Sequence, residues 1–419
     1  MRKIGLVAML LMAAGLLAAE PGAWPQWRGS NGNGVSAEAN WNPRCLEGGA
    51  KVLWTADIGT GYSNVAISGG RLYAVGSADS THLRFCCLDA DSGQPIWAQT
   101  YRLGHGANDP MSTPTVDGDR LYAMASNGTV LCLGTEDGAV RWKKWLGNEP
   151  KADVMVLDQQ FGQAASPIVD GPLLLINANS ACIALDKMSG ELAWDSGIAG
   201  EGVNTYASPT LARLGGTRVA MFLGPACLSA VEAATGRLLW SIPHLEKTEI
   251  IADPVTDGHL VFFATTTRSS VIDPTEPGTP RVLWSRECLR SDAATPVLAN
   301  GYLFGTDWMQ YVDPGNWQVL KRSEWPFQCV DLETGAVAWT VTMPHASLIA
   351  ADGKLIILDV KGTLSVAEAN PREFGVISSA DVLGGASRPR VFATPPVLCD
   401  GRIYVRNYAG DLICIDARK

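Results

Sequence analysis

The chain has 419 residues, of which 47% are hydrophobic and 18% charged, and its formal net charge is −9. This composition predicts a globular chain with a large core. The acidic balance and the lack of any basic run argue against nucleic acid or an anionic lipid surface as a partner.

Residues 1–19 have the pattern of a secretory signal peptide. Arg2 and Lys3 precede an apolar run that ends in small residues at Ala19, as in leaders that are cut after export. The run is shorter than the about 20 apolar residues that a membrane-spanning helix needs. We therefore expect an exported protein, periplasmic or secreted, without a membrane span. No cysteine precedes Cys45, so a lipoprotein is not expected.

Residues 20–50 show no regular period and predict an ordered N-terminal loop segment that its aromatic rings hold in place. This segment opens with Trp24-Pro-Gln-Trp-Arg-Gly. The next stretch, Lys51-Val-Leu-Trp54, has the pattern of a last strand whose preceding strands are missing. From there to the C-terminus, residues 51–419 are expected to form a single domain.

An eleven-residue frame recurs along this domain, with a small residue first, usually Asp or Glu third, Gly seventh and Trp last. Its copies are Cys87–Trp97, Cys132–Trp142, Ala184–Trp194, Ala230–Trp240 and Cys329–Trp339. Each copy predicts the end of one strand, a tight turn and a second strand. Because cysteine alternates with alanine at the first position, most of the ten cysteines are expected to be unpaired core residues, even in an exported protein.

Two further strands precede each frame. A Ser/Thr-Pro pair often starts the first, as at Thr113-Pro114, Ser166-Pro167, Ser208-Pro209, Thr295-Pro296 and Thr394-Pro395. An Asp-Gly or Asn-Gly turn usually leads into the second. Four-stranded units at this spacing are typical of propeller blades.

The predicted fold is an all-β, eight-bladed β-propeller of four-stranded antiparallel blades. Seven whole blades are expected at 63–97, 112–142, 165–194, 207–240, 252–284, 294–339 and 347–377. The eighth, at 391–417, has three strands, and the N-terminal strand at Trp54 completes it, so the ring closes and exposes no sheet edge between blades. The tryptophans that end the frames are expected to dock one blade on the next: Trp54, Trp97, Trp142, Trp194, Trp240, Trp284 and Trp339.

The frame resembles the tryptophan-docking motif of quinoprotein dehydrogenases, and equally the non-enzymatic propeller of the BamB outer-membrane assembly factor. The resemblance covers residues 51–419. The quinoprotein likeness implies pyrroloquinoline quinone and Ca²⁺ as cofactors, whereas the BamB likeness implies a scaffold without a cofactor. The segment at Trp24 is similar to the opening of many exported bacterial propellers in this superfamily.

Several features depart from a quinoprotein enzyme. Most connections are short, and no Cys-x-x-Cys-His motif offers an attached haem. The adjacent pair Cys86-Cys87 is similar to the vicinal disulfide of some quinoproteins, but it lies mid-strand, where neighbouring side chains point to opposite faces. We interpret it as two packing cysteines. The chain also departs from BamB, because BamB is a lipoprotein and this chain has no lipid-accepting cysteine.

A ligand site is expected on the face where the loops before each first strand and those between second and third strands gather. The ligand and channel-face candidates there are His105, Asn108, Gln163, Asn204, Tyr206, Asp307, Trp308, His345 and Arg390. As a catalytic base we consider Asp109 and Asp292, which with Asn204 also have the oxygen chemistry that Ca²⁺ prefers. The histidines lack a second His at ligand spacing, so no metal site is predicted.

The leading functional hypothesis is a non-catalytic binding or scaffold protein of the cell envelope, expected as a monomer. Its partner is an envelope protein or glycan, bound by the channel face or by an insertion at residues 307–326 that contains three tryptophans. Alternatively, that insertion forms a lid over the propeller, or a loop that its own aromatic side chains hold in place. The alternative functions are a dehydrogenase of alcohols or sugars that uses the quinone and Ca²⁺, and a degenerate quinoprotein that binds a small ligand.

Overall fold

The molecule is a ring of eight β-sheets around a central axis. The computed structural model describes residues 22–103, 109–148, 162–178, 181–199, 205–244, 251–275, 279–291, 294–308, 324–383 and 394–419. Six of these sheets are built from four strands that follow one another in the chain and pair antiparallel, and the other two also take a strand from the N-terminal part of the chain. The all-β, eight-bladed prediction is confirmed.

The blades are numbered in chain order, with the innermost strand first. Blades 1 to 4 comprise Ala66–Ser68, Arg71–Asp79, His82–Asp89 and Pro95–Arg102; Thr115–Asp117, Arg120–Met124, Thr129–Gly134 and Val140–Trp145; Ile168–Asp170, Leu173–Asn177, Ala181–Asp186 and Leu192–Ala199; and Thr210–Leu214, Thr217–Leu223, Cys227–Glu232 and Leu238–Pro243. Blades 5 to 7 comprise Val255–Thr256, Val261–Ala264, Ser269–Asp273 and Arg281–Arg286; Val297–Ala299, Tyr302–Thr306, Trp325–Asp331 and Val337–Met343; and Ala346–Ala351, Lys354–Asp359, Thr363–Glu368 and Val376–Asp381.

Blade 8 joins the two ends of the chain. Its three inner strands are Val397–Cys399, Arg402–Arg406 and Asp411–Asp416, and the outermost strand, Val52–Asp57, pairs antiparallel with the third. Trp54 lies opposite Cys414 in this register, the same pairing that Trp97 makes with Cys87 inside blade 1. The predicted ring closure is therefore confirmed.

The recurring frame builds the contact between neighbouring blades. The indole N–H of Trp97 donates to the carbonyl of Thr135, the fourth frame residue of the next blade, at 2.9 Å. The ring rests on Gly138, the seventh frame residue, which has a φ of +66° and where an added Cβ would lie 2.7 Å from the ring. Glycine is therefore required both by the backbone and by the indole. The equivalent hydrogen bonds join Trp54 to Ala90, Trp142 to Lys187, Trp194 to Ala233, Trp284 to Leu332 and Trp339 to Asn370.

The N-terminal segment adds one strand that the sequence did not predict. Val35–Ser36 pairs parallel with Ala350 and Ala351 at the end of the innermost strand of blade 7, which thus has five strands. This innermost edge faces the channel, and the segment covers it, since the amide of Ala350 donates to the carbonyl of Gly34 at 2.9 Å. A single 3₁₀ turn, Leu146–Asn148, is the one helical element among the described residues, and none of these residues forms a helix able to span a membrane.

All ten cysteines are unpaired, and each lies within the described residues. Cys86 and Cys87 are mid-strand, and their side chains enter different apolar clusters on the two faces of blade 1. Burial raises the pKa of both thiols to about 11, so both remain protonated at neutral pH. The interpretation of this pair as packing residues is confirmed.

Candidate functional site

A belt of hydrogen bonds runs around the channel, one residue before the proline that starts most first strands. In each step the backbone N–H of one blade donates to a side-chain oxygen of the next. The described steps are Asn64 to Thr113, Thr113 to Ser166, Ser166 to Ser208, Ser208 to Asp253 and Asp253 to Thr295, at 2.6–3.0 Å. The Ser/Thr-Pro pairs of the sequence are thus explained: the hydroxyl satisfies a buried amide of the preceding blade.

Asp253 is the one carboxylate in this belt. Its Oδ1 accepts the amide of Ser208 at 2.6 Å, and its Oδ2 accepts the indole N–H of Trp27, also at 2.6 Å. The side chain of Thr295 donates to Oδ2 at 3.4 Å. Asp253 is only 3% exposed, and this burial raises the pKa of its carboxyl, while the positive charge of Arg28 and the donors oppose the rise.

Arg28 brings the opposite charge into the channel from the N-terminal segment. Its guanidinium is 6% exposed and donates to the carbonyls of Asn33, Thr295 and Pro296. Burial lowers its pKa to about 10, so it stays charged at neutral pH. The backbone of Arg28 is left-handed, with a φ of +59°, a conformation that the surrounding contacts must hold in place.

The N-terminal segment closes one end of the channel. Trp24 pairs with Ile67 of blade 1, the carbonyl of Pro25 accepts the amide of Val116 in blade 2, and Trp27 reaches blade 5. Farther along, the Glu38 carboxylate accepts the amides of Asp400 and Gly401 in the first turn of blade 8, at 2.6 and 2.8 Å. We call residues 22–41 the plug, because they fill the channel on the side of the turns between first and second strands.

A cavity of about 110 Å³ remains on the other side of the plug. Trp27 and Arg28 form part of its lining, and every blade contributes to its wall. The remaining lining residues are Tyr62, Met111, Ala164, Ser166, Tyr206, Ser208, Ile251, Asp253, Ala294, Thr295, Ser347, Thr394 and Pro395. We call this space the axial cavity.

The residues predicted for the site are distributed over three places. Tyr206 lines the axial cavity, and Gln163 is buried directly beside the lining residue Ala164. The amide group of Gln163 has no hydrogen-bond partner among the described residues. Asp109 lies instead between blades 8 and 1, where it accepts hydroxyls of Thr60, Ser77 and Tyr408. His105, Asn108, Asn204, Asp292 and Arg390 lie outside the described residues.

Asp307, Trp308 and His345 come together where blades 6 and 7 meet, and none of the three is among the residues that line the axial cavity. Asp307 accepts two hydrogen bonds from the guanidinium of Arg290, at 3.0 and 2.8 Å. The ring of Trp308 packs edge-on against His345, with 5.3 Å between the centroids. His345 is 2% exposed, and its burial lowers its pKa to about 4. This cluster anchors the start of the predicted insertion, whose residues 309–323 lie outside the described part of the chain.

Sequence reasoning missed Trp27, Arg28 and Asp253. A signal for the last was present, since Asp253-Pro254 stands where other blades have Ser/Thr-Pro. The signal for its partners was weaker, because Trp27 and Arg28 lie more than two hundred residues away in a segment without a repeat.

Comparisons with known proteins agree with this architecture. A family model described as outer membrane protein assembly factor BamB matches residues 46–160 and 87–341, more than half of the chain. The chain belongs to this family. It is 23% identical over 385 residues to the BamB of Yersinia pestis, covering 84% of this chain and 86% of that protein. It is 26% identical to the BamB of Moranella endobia over 161 residues, or 36% of this chain and 38% of that one.

Solved structures of a BamB and of quinoprotein dehydrogenases both share the fold of this chain. BamB from Moraxella catarrhalis superposes with a TM-score of 0.61 and 15% identity, covering 87% of this chain and 97% of that one. The quinohemoprotein alcohol dehydrogenase of Comamonas testosteroni superposes with a TM-score of 0.69 and 13% identity, covering 96% of this chain and 81% of that one. At these identities the likeness concerns the fold alone.

The described channel residues do not fit the quinone and Ca²⁺. Pyrroloquinoline quinone is a fused three-ring tricarboxylate, and Arg28 is the one cation among the described lining residues, where its guanidinium already donates to three carbonyls. Ca²⁺ takes roughly six to eight oxygen ligands, whereas the lining has a single carboxylate, Asp253, whose oxygens already accept from Trp27 and Ser208. The charge of Arg28 beside it would repel a second cation. No group of three or more potential metal ligands occurs in the described ranges.

Proposed function

We propose that this chain is a non-catalytic binding protein of the cell envelope, which holds a protein partner on the face where the axial cavity lies. Its membership of a family named for outer membrane protein assembly supports the kind of role. The signal-peptide pattern of residues 1–19 supports export. The partner proposed is therefore a component of the outer-membrane assembly machinery.

The observation that carries the proposal is that both carboxylate oxygens of Asp253 already accept hydrogen bonds from the protein itself. A catalytic base must reach the proton that it abstracts from a substrate. Here the one carboxylate among the described lining residues, Asp253, instead fixes the plug through Trp27 and accepts the belt amide of Ser208. The ionisable groups at the axis thus serve folding, and the function falls to the surface around them.

The shared fold with quinoprotein dehydrogenases favours the alternative function, a quinone-dependent oxidation of alcohols or sugars. One experiment separates the two. The purified chain is mixed with pyrroloquinoline quinone and Ca²⁺, scanned for a bound chromophore, and assayed for dye reduction with alcohols and sugars. In parallel, it is passed over the immobilised outer-membrane assembly complex of its own host.

Our proposal expects saturable binding to the complex, with neither bound chromophore nor dye reduction. Quinone binding with turnover would replace the proposal with a dehydrogenase. Quinone binding without turnover would favour the degenerate quinoprotein. Retention by a glycan column, with no affinity for the assembly complex, would change the class of partner.

A further inference from the structure

The plug turns the axial channel into a blind pocket. Trp27 and Arg28 contribute to the lining at one end of the axial cavity, and we expect a ligand to enter from the opposite end. The rest of the lining comes from residues that precede the first strands of seven blades and from Ser347, which lies within the first strand of blade 7. These residues are tied to one another by the belt, and the pocket is therefore largely preformed, as small-molecule sites usually are.

The walls of the axial cavity favour an aromatic guest. The rings of Trp27, Tyr62 and Tyr206 contribute to the lining, together with the side chains of Ile251 and the more flexible Met111. Aromatic rings prefer edge-to-face or offset contacts with other rings, and a methionine sulfur packs well against a ring edge. An apolar cavity of about 150 Å³ can bind benzene, so the axial cavity, which is of similar size, suits a single ring.

Two hydroxyl groups give the wall a defined polarity. Ser166 and Ser208 each accept a belt amide, from Thr113 and Ser166 respectively, at 2.9 Å. Within the described ranges, neither hydroxyl hydrogen has an acceptor of its own, and both residues line the cavity. A hydroxyl is one donor as well as an acceptor, so a guest with an acceptor oxygen would satisfy this pair.

The charges at the floor disfavour an ionised guest. Arg28 and Asp253 have opposite signs and already have hydrogen-bond partners in the plug and the belt. A charged guest would lose its hydration without finding an unused counter-charge, which is costly in a mostly apolar site. The guest is therefore neutral.

We propose that the axial cavity is a binding site for a neutral aromatic ring that carries one acceptor oxygen, a phenol in particular. The phenol would come either from a free small molecule or from a tyrosine of a bound polypeptide. The second source rests on the proposed protein-binding function, while the site itself does not.

The test is calorimetric titration of the full chain with three matched probes. p-Cresol has the ring and the hydroxyl, toluene lacks the hydroxyl, and 4-hydroxybenzoate adds a charge. Binding of p-cresol at one site is expected, about three- to ten-fold weaker binding of toluene because one hydrogen bond is lost, and at least about ten-fold weaker binding of 4-hydroxybenzoate. A pentapeptide amide, Ala-Ala-Tyr-Ala-Ala, distinguishes the polypeptide source from the free phenol.

A space-filling variant locates the site. Ala164→Phe places a ring in the cavity and should abolish p-cresol binding, whereas Ala98→Phe, on the exposed outer strand of blade 1, should leave it unchanged. No p-cresol binding to the wild type, binding that survives Ala164→Phe with an unchanged circular dichroism spectrum, or equal affinity for all three probes overturns the proposal. If the chain still binds the assembly complex in that case, the proposed function stands without this site.

Discussion

Trp54 donates its indole N–H to the carbonyl of Ala90 at 3.2 Å and thereby joins the last blade to the first. The two residues are close in sequence, yet they belong to opposite ends of the ring, because Trp54 is the outermost strand of blade 8. This contact repeats the hydrogen bond that five other docking tryptophans make with the next blade, namely Trp97, Trp142, Trp194, Trp284 and Trp339. The ring is thus closed by the same chemistry that builds it, and the closure can be tested at single residues.

Gly93 tests the docking contact separately from backbone strain. Its φ is +70°, and an added Cβ would lie 2.5 Å from the Trp54 ring, whereas Gly118 has a φ of +58° with open space around it. Gly118→Ala should cost about 1–2 kcal/mol through the left-handed backbone alone. Gly93→Ala should cost about 1–3 kcal/mol more than Gly118→Ala, because its added methyl group overpacks against the Trp54 ring. Chemical denaturation measures both, and equal losses would show that the ring does not rest on Gly93.

The belt predicts a cost for removing one hydroxyl. Ser166→Ala deprives the buried amide of Thr113 of its acceptor and should lower the free energy of unfolding by about 1–3 kcal/mol. The control is Ser365→Ala, whose hydroxyl pairs with Ser379 on the surface and whose loss should change stability by about 0.5 kcal/mol or less. A neutral Ser166→Ala variant would mean that the belt amides find other partners.

His345 predicts a pH dependence of stability. Burial lowers its pKa to about 4, so the folded protein keeps it neutral while the unfolded chain gains a proton below its ordinary pKa of about 6.5. Stability is complete above that value and falls as the pH drops from about 6.5 towards 4, by at most about 1.4 kcal/mol per unit. His345→Gln should flatten this part of the pH profile. The control is His259→Gln at an exposed position, which should leave the profile unchanged. Equal profiles for the wild type and His345→Gln would contradict the assignment.

The sequence predicted the blades well because their determinants are local. The frame places a carboxylate three residues before a hydroxyl, as in Asp89 and Ser92, then a glycine and a tryptophan, and each copy folds its own turn. Ring closure could also be predicted, because the last unit has three strands and no terminal tryptophan, and the strand at Trp54 supplies both. The extra strand at Val35–Ser36 belongs to no repeat, so no pattern predicted it.

The candidate site was harder to predict because its contacts are long-range. Trp27 and Asp253 are 226 residues apart, and the sequence contains no periodicity that would join them. Polar loop residues were predicted to form the site. Asp109 instead accepts a hydrogen bond from Tyr408, and Asp307 accepts hydrogen bonds from Arg290, so both connect neighbouring loops. Only the exception to a pattern, aspartate where the belt has serine or threonine, pointed towards the channel carboxylate.

The central claim is that the buried charges of Arg28 and Asp253 attract each other and that this attraction helps to hold the plug in the channel. A double-mutant cycle with Arg28→Met and Asp253→Asn measures it most directly by chemical denaturation. Each single variant leaves one buried charge uncompensated and should lose about 3–5 kcal/mol. The double variant should lose about 1–3 kcal/mol less than the sum of the two. Single variants near wild-type stability, with effects that add within about 0.5 kcal/mol, would contradict the claim.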